Sequence, residues 1–74
     1  MNLDHLIKMA NQIGAFFEVM PDRDQAVADV ASHLRRSWEP RMREQILATL
    51  GTPDAEKLKP VVRDALIGLG HASR

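Results

Sequence analysis

Proline sets the first limit on what this chain can fold into. Four of its 74 residues are proline, at positions 21, 40, 53 and 60. A proline inside a helix removes a hydrogen bond and clashes with the preceding turn, and the residue before it is pushed towards extended backbone. The segments between the prolines carry apolar residues at three- and four-residue spacing, and none alternates with the two-residue period of a strand. The expected fold is therefore all-α, a small bundle of about four short helices that begin or end at prolines. Residues 1–69 read as a single helical domain and 70–74 as a disordered tail.

The first segment runs from Asn2 or Asp4, either of which can cap a helix, to Met20 before Pro21. Its apolar residues cover close to half the cylinder, wider than the roughly 100° stripe that one packing face needs. One edge of the stripe is Leu3, Ile7 and Gly14, and the other is Met9, Phe16 and Met20. Gly14 lowers helix propensity by about 1 kcal/mol against alanine, a loss usually offset by close approach of another backbone. Either this helix meets a second surface beyond the chain's own core, or the small fold surrounds it.

Asp22 is the expected cap of a second helix, in which Val27, Val30, Ala31, Leu34 and Trp38 form a narrow stripe that packs on one side only. Arg36 falls opposite that stripe and Arg35 on its flank. Pro40 opens a third helix that is expected to end at Gly51, with Met42, Ile46, Leu47 and Leu50 facing inward. Arg43 falls among them, so its stem lies on apolar surface or its guanidinium is sunk against a carboxylate. Thr52 and Pro53 start one further turn, with Thr52 as cap, through Leu58. Val61, Val62, Ala65, Leu66 and Leu69 then mark a fourth helix up to Gly68 and Gly70.

Composition narrows the chemistry. Ten Lys and Arg balance ten Asp and Glu, which speaks against a globally basic nucleic-acid binder. There is no cysteine, hence neither a disulfide nor a thiolate metal site. His5, His33 and His71 lack metal-ligand spacing, so no metal site is expected. Asp29 and His33 lie one turn apart, but Ser32 points about 100° away from His33, which spoils a nucleophilic relay. No apolar run approaches the roughly 18 residues of a membrane span, and a cytoplasmic location is the default.

Binding remains. Four of the ten cations, Arg35, Arg36, Arg41 and Arg43, crowd around the only tryptophan, Trp38, where Pro40 bends the chain. Arginine beside an aromatic is the composition of interface hot spots, although a lone tryptophan is as often the core anchor of a small domain, and both readings stay open. The candidate partner-binding set is Met9, Phe16, Arg35, Arg36, Trp38, Arg41 and Arg43, with no catalytic, cofactor-binding or metal residue. A free-standing nucleic-acid-binding regulator and a self-associating interaction module are the alternatives.

The strings Met9-Ala10-Asn11-Gln12-Ile13-Gly14 with Phe16-Phe17, Met20-Pro21-Asp22-Arg23, and His33-Leu34-Arg35-Arg36 with Trp38-Glu39-Pro40-Arg41-Met42-Arg43, followed by Leu58, Pro60, Val62 and Ala65-Leu66, resemble the delta subunit of soluble NAD-dependent formate dehydrogenases. The Trp38 to Met42 block after an arginine pair is the most specific part. Ser37 stands where an aromatic often precedes the tryptophan. The resemblance implies a cytosolic, non-catalytic accessory subunit that binds the catalytic alpha subunit and supports its assembly or molybdenum-cofactor maturation. Beta and gamma subunits are indirect partners. It further implies that the complex, not this chain, carries bis-molybdopterin guanine dinucleotide, iron-sulfur clusters, FMN and NAD. Neither a membrane nor nucleic acid is an expected partner.

Overall fold

Three of the four prolines open a helix. In the computed structural model, which describes residues 2–72, α1 spans Leu3–Phe17, α2 Arg23–Ser37, α3 Pro40–Leu47 and α4 Pro60–Ala72, with a 3-10 helix at Pro53–Lys57 before α4. No strand occurs among the described residues. Asn2 is the cap of α1, its side-chain oxygen accepting from the His5 amide at 3.1 Å, and Asp4 lies in the first turn. Asp22 caps α2 by accepting from the Gln25 amide at 3.2 Å. Each of these bonds satisfies one of the amides that a helix start leaves without a partner.

The helix ends differ from expectation in four places, each with a local cause. α1 stops at Phe17 instead of Met20, because Pro21 bars Met20 from helical backbone and the Met20 amide closes a tight turn onto the Phe17 carbonyl at 3.0 Å. α3 stops at Leu47 instead of Gly51: the Thr49 and Leu50 amides bond three residues back, and Gly51 ends the run at φ 83, where glycine carries no steric penalty. Thr52 does not cap the 3-10 helix; its hydroxyl donates to the Thr49 carbonyl at 2.6 Å. The tail expected from Gly70 is helical as far as Ala72, held by buried Leu69 one turn earlier, and positions 73 and 74 lie outside the described residues.

The core collects the apolar stripes of all four helices. Leu6, Ala10, Val30, Leu34, Ile46, Val61, Val62, Ala65 and Leu66 are fully enclosed. Burial contributes about 1.5–3 kcal/mol for each large side chain among them. At Gly14, α4 approaches α1 closely. A Cβ there would lie 2.6 Å from Val62 Cγ2 and 3.1 Å from Val61 Cγ1, so the approach that Gly14 permits is by two valines of the same chain. Beside it, Asn11 clamps the connection into α4, its amide nitrogen donating to the Lys57 carbonyl and its oxygen accepting from the Lys59 amide, both at 2.9 Å. Lys57 bonds Asp54 at 3.1 Å and lies 3.7 Å from Asp4. The Asp54 hydrogen bond, then the charges of Asp54 and Asp4, hold its ammonium above the ordinary lysine range. The wide stripe of α1 is thus divided: the Ile7 and Gly14 edge is used by α4, and the opposite edge is not.

Candidate docking groove

That opposite edge forms one wall of an open apolar groove of about 610 Å³. α1 contributes Met9, Gln12, Ile13, Phe16 and Phe17; α2 contributes His33 and Ser37; Trp38 and Met42 close it at the bend into α3. Helical periodicity builds the α1 wall, since residues 9, 13, 16 and 17 recur at four and three and so share a face. No carboxylate, lysine or arginine lines the groove.

Phe16 stands at its rim, 75 % exposed, packed edge-on against Phe17 with ring centroids 5.0 Å apart at 85°. Phe17 leans on His33, centroids 6.3 Å apart. Val19, just beyond α1, is 80 % exposed. A phenylalanine and a valine in water so close together, next to an apolar concavity, are the kind of surface that marks an interaction site. Trp38 is only 5 % exposed and belongs to the core, while one part of it lines the groove. The two readings of the tryptophan are therefore compatible.

The structure separates the sequence candidates. Met9, Phe16 and Trp38 come together in the groove, whereas none of the four arginines lines it. Arg43 is turned inward to the backbone: its Nη1 donates to the Arg35 carbonyl at 3.1 Å and to the Trp38 carbonyl. It satisfies carbonyls that the end of α2 leaves orphaned, so the carboxylate partner considered for it is replaced by main chain. Arg36 Nε donates to Ser32 Oγ at 3.3 Å. Arg35, Arg36 and Arg41 are exposed, and among the described residues no carboxylate is ion-paired with any of the four. Glu39 and Glu44 share a shallow depression with Arg41 without pairing with it. Asp29 accepts from Gln25 Nε2 at 2.8 Å, and His33 instead faces Phe17. The Asp29, Ser32 and His33 trio is thus bonded piecemeal, with no relay.

Several groove residues were not among the sequence candidates. Ile13, Phe17 and Met42 carry the apolar periodicity that would have named them. Gln12, His33 and Ser37 do not, because polar type on a helix says nothing about which neighbour crosses it. Val19 lies in a turn, where no periodicity operates.

Among the described residues no group of three or more His, Asp or Glu could hold a metal ion, and the sequence has no thiolate to offer one. No helix among them is long and apolar enough to cross a membrane. Fold and groove together define a small all-α protein with an apolar groove framed by three helices. The chain belongs to the family of the NADH-dependant formate dehydrogenase delta subunit FdsD, whose model matches residues 5–66. The match takes in every residue of the groove and ties the chain to a formate dehydrogenase complex. No curated protein and no solved structure matches the chain.

Proposed function

We propose that this chain is a non-catalytic accessory subunit that docks through its groove on the catalytic alpha subunit of a cytoplasmic formate dehydrogenase and supports its assembly or the maturation of its molybdenum cofactor. The observation that carries the reading is the open wall of α1, where Phe16 is exposed beside Met9, Ile13 and Trp38. Covering a phenylalanine contributes about 1.5–3 kcal/mol, which makes Phe16 the expected anchor. The donor set does not suit the redox groups of such a complex. Iron-sulfur clusters want thiolates and this chain has none, so the clusters would be held by other subunits of the complex.

A nucleic-acid-binding regulator is the competing reading, favoured by arginines that lack carboxylate partners. The balanced total charge and the apolar groove floor weigh against it. Replacing Phe16 with Ser separates the readings, because the side chain is exposed and its loss leaves the core intact. With the tagged chain expressed in its host, Phe16→Ser is expected to reduce co-purified catalytic subunit about tenfold, the equivalent of losing one well-buried contact. Undiminished capture of the catalytic subunit, or capture that disappears on nuclease treatment, would count against docking through this groove.

A further inference from the structure

The four arginines between Ser32 and Glu44 have no carboxylate partner among the described residues. Arg23, Lys57 and Lys59 each pair with a carboxylate, at 2.9, 3.1 and 3.1 Å. The stretch from Ser32 to Glu44 instead holds four arginines against two glutamates in a chain whose total charge is zero, and it forms no ion pair at all among the described residues. Arg43 is committed to backbone carbonyls. Arg35, Arg36 and Arg41 remain, and of these Arg36 and Arg41 each immediately precede a groove residue, Ser37 and Met42. Arg36 uses one of its five donors, on Ser32.

Resting on the docking function above, we infer that the groove receives an amphipathic helix of the partner that carries carboxylates beside its apolar stripe. The α1 wall from Met9 to Phe16 is about 10 Å long, two turns of helix, and suits apolar side chains at i, i+3 or i+4, and i+7. Met9 and Met42 supply walls that adapt to whatever apolar side chains enter. The groove lining has no charge of its own, so the polar flank of the incoming helix must be met outside it, and Arg36 and Arg41 are exposed cations next in sequence to groove residues. A guanidinium takes a carboxylate in a two-bonded fork. Between solvated groups such contacts chiefly steer and orient the partner, and they weaken as salt screens them. A nucleic acid would engage the same arginines but leave Met9, Ile13 and Met42 uncovered.

The test uses the full chain and purified formate dehydrogenase lacking this subunit. Arg36→Glu together with Arg41→Glu, both exposed positions, is expected to weaken binding about tenfold with an unchanged circular dichroism spectrum, and wild-type binding is expected to weaken with salt. A photoreactive phenylalanine analogue at position 16 should cross-link to a helical segment with Asp or Glu flanking its apolar residues. If Phe16→Ser abolishes binding while the charge reversal leaves it intact, docking survives and the acidic helix is overturned. If neither variant weakens binding, both ideas fall together. A cross-linked segment flanked by Lys or Arg, or loss of the cross-link only when the preparation is nuclease-treated, also overturns the proposal.

Discussion

A guanidinium near the end of a helix can be claimed by that helix, and Arg43 is the case in this chain. Its inward position was legible from the spacing of Met42, Ile46 and Leu47, but its partners were not, because a helical wheel gives the direction of a side chain and not what lies opposite. The carbonyls of Arg35 and Trp38 are opposite. Arg43→Met keeps the apolar stem and removes the donors, leaving the partly buried Trp38 carbonyl unsatisfied; the expected loss is about 1–3 kcal/mol in urea unfolding. Arg43→Lys should recover little, since a single ammonium on a flexible stem does not reproduce the guanidinium's spread of donors. A loss below about 0.5 kcal/mol in the methionine variant would mean that solvent serves these carbonyls and that Arg43 is a surface residue.

The elements were read more securely than the residues between them. Periodicity located all four helices and the buried face of α4, because three- and four-residue spacing and proline punctuation are local signals. Helix ends were less legible, since the turns after Phe17 and Leu47 are set by how the chain must reverse towards its next element. Glycine shows the same division. Gly14 was legible as a point of close approach inside an apolar face, and a Cβ there would strike Val62, whereas Gly68 and Gly70, read as the end of α4, lie within the helix with open space beside them. Valine is stiff and cannot swing away, so Gly14→Ala should destabilise by about 1–3 kcal/mol despite alanine's better helix propensity. Gly70→Ala and Gly68→Ala should each stabilise by about 0.5–1 kcal/mol. Urea midpoints of the three variants, compared in one buffer, check both signs; a stabilising Gly14→Ala would refute the close α1–α4 contact.

For the whole molecule the question is whether the chain needs its partner in order to fold. Its radius of gyration of 11.1 Å matches the roughly 11 Å of a compact domain of this length, and the indole of Trp38 is enclosed. Four helices therefore close a core without help, while one flank of α1 stays open. A core this small supplies no more than about 3–5 kcal/mol of net stability. The isolated chain is expected to unfold cooperatively in urea within that range, and Phe16→Ser to leave the midpoint unchanged because the ring is already in water. Trp38→Ala, in contrast, removes about 3–5 kcal/mol, comparable to the entire stability, and should populate unfolded chain in buffer alone. A Trp38 variant that fails to bind a partner would thus report unfolding, not docking, which is why Phe16 is the position that interrogates the groove. The partner should raise the unfolding midpoint of the wild-type chain by mass action and do so far less for Phe16→Ser at equal concentration. An equal rise for both chains would place the docking surface elsewhere on the molecule.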